Sequence, residues 1–311
     1  MLIRLALLRV KLVERVIFSS YGSQPNLKLN KKQICWANSS FDDSDIVIVG
    51  IPDESGSHAI FAGASAAPDH IRKISNANDV YVEKKLFCLA QPTLGIGNTR
   101  VYDFGNIKKR QIVPTFEKIL SSKKIPISIG GDHSITSSLL KALSKKHGKL
   151  SLVYFDAHPD FVSHTRNYYG SVLTDSLDYI DIRHSIQIGI RSPEQEELQN
   201  IKKHKLSVIT PFDVIESGIK SVTKTILDAV GDNVYVSLDM DCLDPAYAPG
   251  VSVPVPIGME SQDVTFAIKK LAQSGIVGFD IMEVCPAHDL NDVTSHLASR
   301  IIGETISSCK V

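Results

Sequence analysis

Short apolar or β-branched runs alternate along the chain with stretches of helical period. Residues 46–51, 125–129, 150–155 and 233–238 are apolar almost throughout, the pattern of strands buried on both faces. Residues 185–190, 206–209 and 276–281 repeat it. Between them, Ile135, Leu139, Leu140 and Leu143 form one stripe of a helix over 134–147 that Gly148 ends. A helix is expected over 68–74, opened by Pro68, and a charged one over 194–204. Further stripes are Val222, Ile226, Leu227 and Val230; then Val264, Ile268 and Leu271; then Val293, Leu297, Ile301 and Ile302. This alternation predicts an α/β fold, a single three-layer α/β/α domain around a mainly parallel sheet. No repeat, low-complexity tract or linker divides it. Residues 1–44 read as an N-terminal extension, packed on the domain or partly ordered.

Composition narrows the class. With 43% hydrophobic residues in 311, the chain can fill a large core. Thirty-four basic residues balance thirty-four acidic ones, so net charge offers no attraction to nucleic acid or to a membrane surface. Small molecules and further copies of the chain are the expected partners. Cys35, Cys88, Cys242, Cys285 and Cys309 are odd in number and lack CxxC spacing, which suits a reducing cytoplasm. Arg4, Arg9, Lys11, Glu14 and Arg15 interrupt the apolar start. Residues 1–20 therefore read as a short amphipathic segment or a misassigned start, with neither a signal peptide nor a membrane span.

Chemistry concentrates at the carboxyl ends of the predicted strands. Gly130-Gly131-Asp132-His133-Ser134 follows one, Asp156-Ala157-His158-Pro159-Asp160 a second, and Asp239-Met240-Asp241-Cys242-Leu243-Asp244-Pro245 a third. Open parallel sheets bind ligands at that edge. Residues two apart on an extended chain share a side, so Asp156, His158 and Asp160 converge, as do Asp239 and Asp241. Carboxylates gathered this closely with two imidazoles require a cation. The donor set is too carboxylate-rich for structural zinc and too nitrogen-bearing for a calcium cage, so manganese fits best, with cobalt, iron or zinc as substitutes. Two ions roughly 3.5–4 Å apart would activate a shared water, which implies hydrolysis. Singly, a Gly-Gly turn or an Asp-His pair is ordinary surface; three such blocks at successive strand ends outweigh that reading. Asp132 is expected to orient backbone, Asp244 to form a turn, and Arg191 to be a structural or interface ion-pair former.

These blocks, with Gly50-Ile51-Pro52, Gly189-Ile190-Arg191, Ala248-Pro249-Gly250 and Met282-Glu283-Val284-Cys285-Pro286, resemble the signature motifs of the ureohydrolase (arginase/agmatinase) family. The likeness runs from about Asp45 onward. It implies an arginase-like fold with His133, Asp156, Asp160 and Asp239 on one manganese ion and Asp156, His158, Asp239 and Asp241 on the other. By the same resemblance Asp160 relays a proton to the departing amine, Glu283 holds a guanidinium, urea is a product, and the protein is a trimer or hexamer.

The chain departs from the family in two places. A family histidine that assists proton transfer is replaced at Tyr169-Gly170; phenol is a poor shuttle near neutrality, and His164 in the same loop is the candidate substitute. Val162 stands where arginases carry an asparagine that anchors the amino-acid head group. The expected substrate is therefore agmatine, giving putrescine and urea as in polyamine biosynthesis. The alternatives are guanidinobutyrase, arginase or formimidoylglutamase activity, or a catalytically silent metal-binding homologue. A deacetylase of related architecture is disfavoured, since one metal would not need both Asp239 and Asp241.

Overall fold

A computed structural model of the protein describes residues 32–76 and 95–311. Residues 1–31, including the amphipathic segment expected over 1–20, lie outside the described residues. The later part of the expected extension, 32–44, is described: Ile34 and Trp36 are buried in the core, and the Ile34 amide donates to Asp103 at 2.8 Å.

Eight strands form one sheet: β1 (Ile46–Gly50), β2 (Val101–Asn106), β3 (Ile125–Ile129), β4 (Ser151–Phe155), β5 (Ile186–Ile188), β6 (Ser207–Ile209), β7 (Val234–Asp239) and β8 (Gly278–Met282). Their order is β2-β1-β3-β8-β7-β4-β5-β6, and every pairing is parallel. The expected α/β/α layering follows from which residues the strands bury. Ile46 and Ile48 pack with helices α1 (Ala67–Ser75), α8 (Ser261–Ser274) and α9 (Val293–Ser308). Val47 and Val49 face the other way, against α2 (Ile112–Ser121) and α3 (Ile135–His147). With both faces covered, β1, β4, β7 and β8 are buried at every position, so their sequences run apolar instead of alternating. Among the described residues no helix is long and apolar enough to cross a membrane.

The edge strand β2 was not anticipated, for a physical reason. Its fully buried positions are Val101 and Asp103, and Asp103 is buried against the Arg72 guanidinium at 2.8 Å. A buried ion pair in place of an apolar residue erases the hydrophobic pattern.

The chain enters the sheet at β1, adds β2 on one side of it and β3 on the other, then crosses to β4, continues outward through β5 and β6, and fills the gap last with β7 and β8. The neighbours β3, β8, β7 and β4 therefore end side by side although they are far apart in sequence, which is the switch-point geometry of a ligand crevice. Gly131 allows the loop after β1 to reach that edge: a Cβ there would lie 1.9 Å from the Asp53 carbonyl, to which the Asp132 amide donates at 3.0 Å.

Phe279, fully buried in β8, anchors the centre of the sheet. Phe279→Ala is expected to destabilise the fold by about 3–5 kcal/mol, read as a lower urea midpoint with an unchanged denaturant slope.

Candidate metal centre

Each of the four central strands delivers a chemical group at its end. His133 follows β3, Asp156 follows β4, Asp239 closes β7 and Glu283 follows β8. Asp160 and Glu283 adopt left-handed backbone, with φ of 49° and 64°. Such conformations in non-glycine residues concentrate where a side chain must be aimed.

The expected ligands come together. His133 Nδ1 lies 3.0 Å from Asp239 Oδ2, 3.1 Å from Asp156 Oδ2 and 3.6 Å from Asp160 Oδ2. His158 Nδ1 lies 3.1 Å from Asp241 Oδ2 and 3.5 Å from Asp156 Oδ1. Two clusters result, His133–Asp156–Asp160 and Asp156–His158–Asp241, sharing Asp156, with the ligand atoms of each within 4.8 Å of one another. Backbone amides aim the carboxylates: Asp156 accepts from His158 N at 2.6 Å, Asp239 from Asp241 N at 2.7 Å and Asp241 from Ala157 N at 3.1 Å. Asp156 Oδ2 remains buried with no donor aligned on it. Such an oxygen is expensive unless a cation takes it, so these residues fit divalent ions.

Electrostatics of the bare cluster show the same demand. Burial opposes charge on His133, but Asp156 and Asp239 hold its imidazole well above the usual range. Burial likewise opposes charge on His158, yet Asp241 and Asp156 push it up to about 12. Asp160 and Asp239 are raised well above ordinary carboxylates by burial and then by neighbouring aspartates. Asp156 goes the other way: burial works to raise it, but the two imidazoles it faces bring it down. Carboxylates crowded this closely favour positive charge beside them.

Beneath the ligands lies a row of polar side chains absent from the sequence-based candidate set. Ser128, Asp280, Ser237, Tyr154 and Gln187 are in register across β3, β8, β7, β4 and β5. Buried Asp280 accepts from Ser237 at 2.6 Å, Tyr235 at 2.7 Å and Thr136 at 2.9 Å. Because Ser237 gives its proton to Asp280, its lone pair faces His133 Nε2 at 2.9 Å. Nε2 must then be the donor, which leaves Nδ1 as the ligand atom when the ring is neutral. The available signal was polar residues interrupting otherwise apolar buried runs.

Glu283 sits in the same pocket. Its Oε1 accepts the His133 amide at 2.8 Å, while Oε2 is buried with no donor aligned on it and the Ser252 hydroxyl nearby. Burial first, and Asp132 nearby, push its carboxyl up to about 7. His164, by contrast, is exposed, and its Nδ1 is 2.7 Å from Glu196. Its bonded partner is thus a surface carboxylate outside the cluster. Tyr169 is half-buried, its ring 4.5 Å from that of Tyr168. Burial raises its phenol, with Tyr168, Glu283 and Asp160 adding to the effect. Val162 is buried and brings no polar group to the site.

Asp132 and Asp244 have the roles expected of them, whereas Arg191 bonds backbone carbonyls and forms no ion pair among the described residues. Asp132 accepts from the Gly56 and Ser134 amides at 2.7 and 2.9 Å. Asp244 accepts from Ala246 and Gly258 amides, both at 2.9 Å. Arg191 donates to the carbonyls of Asp241, Cys242 and Val255, among others, and so ties the loop after β7.

A parallel sheet with two carboxylate–imidazole clusters at its carboxyl edge is an α/β protein with a candidate divalent-metal site. The family model described as Arginase family matches residues 44–307, and the chain belongs to that family. It is 32% identical over 275 residues to an agmatinase of Citrobacter koseri, covering 85% of this chain and 87% of that one. The agmatine ureohydrolase of Thermoplasma volcanium aligns with a TM-score of 0.74 and 33% identity, over 94% of this chain and 96% of the other. Formimidoylglutamase from Bacillus subtilis aligns with a TM-score of 0.77 and 27% identity, over 93% and 94%. The protein is an arginase-family ureohydrolase, agmatinase-like in sequence. Membership implies a binuclear metal site, for which the chain supplies its two clusters.

Ser237→Ala removes the acceptor from His133 Nε2 and is expected to weaken one ion selectively. A loss of about 10–100-fold in affinity for that ion, with the other unchanged, is the scale of such supporting contacts; calorimetric titration with manganese measures both.

Proposed function

We propose that this protein hydrolyses agmatine to putrescine and urea with two manganese ions per protomer, as a cytoplasmic homo-oligomer of three or six single-domain chains. The observation that carries the reading is Glu283, a buried carboxylate beside the clusters whose Oε2 has no donor aligned on it, with the Ser252 hydroxyl nearby. A guanidinium presents forked N–H donors, and a carboxylate with a free oxygen and spare lone pairs is its complement.

His133, Asp156, Asp160 and Asp239 would hold one ion, and Asp156, His158, Asp239 and Asp241 the other. When bound, such a pair supplies Lewis acidity and lowers the pKa of water to near neutrality. Glu283 orients the guanidinium so that its carbon faces the clusters. Asp160, as the carboxylate, takes a proton from the attacking water and delivers it to the departing amine. We assign this relay to Asp160 and not to His164, because the exposed His164 ring is bonded to Glu196. His164 instead ties its loop to α5 (Gln195–His204). Tyr169 stays a neutral phenol beside Glu283 and Asp160, a donor and a wall of the site. With apolar Val162 at the position where arginases anchor a head group, selection for an amino-acid end is weak, which favours agmatine over arginine.

Manganese-loaded protein is expected to release urea from agmatine with kcat/KM at least about tenfold above arginine and guanidinobutyrate, the scale of a modest pocket preference. Formamide release from formiminoglutamate, measured alongside, tests the nearest competing activity. Glu283→Gln should lower kcat/KM for agmatine by about 100-fold or more, as for one partner of a buried charge pair. No urea from any of the three guanidino compounds would overturn the proposal.

A further inference from the structure

We propose that Tyr154 is a positioning residue: its hydroxyl fixes the Asp160 carboxylate and so sets how tightly the ion at the His133–Asp156–Asp160 cluster is held. This rests on the metal-centre reading above. Tyr154 lies on β4, two residues before Asp156 and on the same side of the chain. Its ring is fully buried and stacked on His133, with centroids 4.6 Å apart and planes 11° from parallel. From that fixed position the hydroxyl reaches Asp160 Oδ2 at 2.5 Å and lies 3.0 Å from His133 Nδ1.

Asp160 needs such support. It follows Pro159 in a loop beyond the sheet edge, its φ is 49°, and the terminal torsion of a carboxylate is broad and two-fold. A stacked phenol with one proton to give selects one orientation. Support also comes from the adjacent position on the sheet. Gln187, in register with Tyr154 on β5, donates to the Pro159 carbonyl at 2.7 Å. Two side chains of one row thus hold the backbone and the carboxylate of consecutive residues. The His158–Asp241 side has no comparable phenol among its described contacts, so the support is confined to one cluster.

Tyr154→Phe keeps the ring stack and removes only the hydroxyl. Calorimetric titration with manganese should show one site weakened about 10–100-fold and the other unchanged. In an Asp160→Ala background the same substitution should make no further difference, since Tyr154 acts through Asp160. Turnover of the Tyr154→Phe enzyme should fall in kcat with KM held. Equal weakening of both sites, affinities within twofold of wild type, or an undiminished effect in the Asp160→Ala background would each overturn the proposal. If Tyr154→Phe fails to fold, 3-fluorotyrosine at position 154 decides. Its fluorine resonance should shift with one equivalent of zinc and not with the other; a resonance unmoved by both, or moved alike by both, overturns the proposal. The metal arms need no substrate, so a failure of the proposed agmatine hydrolysis leaves this test intact.

Discussion

Asp156, Asp160, Asp239 and Asp241 are all buried at one edge of the sheet, and the repulsion among them constrains everything built around them. Two like charges about 4 Å apart repel by about 4 kcal/mol at the effective dielectric of a protein, and each carboxylate also loses hydration. Backbone amides at 2.6–3.1 Å aim three of these groups but add no positive charge, and the crowding holds both imidazoles and the Asp160 and Asp239 carboxyls above their usual ranges. A pair of divalent ions meets the same demand without protons.

The sheet order makes that crowding attainable. Because β7 and β8 are inserted between β3 and β4, motifs more than a hundred residues apart end on neighbouring strands. The row below them then sets orientation: Asp280 collects three hydroxyls, Ser237 thereby fixes the His133 tautomer, and Gln187 and Tyr154 steady the loop carrying Asp160. Polar residues inside buried strands are costly to the fold; here they are bonded to one another and to the ligands, and so tie the core to the site.

Much of this was legible in the chain. Fully buried parallel strands write continuous apolar runs, and their ends carried the metal-ligand motifs within reach of one another. What stayed hidden depends on register or side-chain direction. Tyr154, Ser237 and Asp280 become neighbours only once β4, β7 and β8 are known to be adjacent. β2 escaped notice because a buried Asp103–Arg72 pair replaces the apolar signal. His164 shares a loop with Tyr169, yet it pairs with Glu196, and sequence proximity carries no record of that.

The central claim is that the two clusters are one binuclear centre bridged by Asp156. Diffraction from manganese-soaked crystals, collected at the manganese absorption edge, tests it directly. Two anomalous peaks roughly 3.5–4 Å apart, one beside His133 and Asp160 and one beside His158 and Asp241, are the expected result. A single peak at full occupancy, or ions bound away from Asp156, would contradict the account.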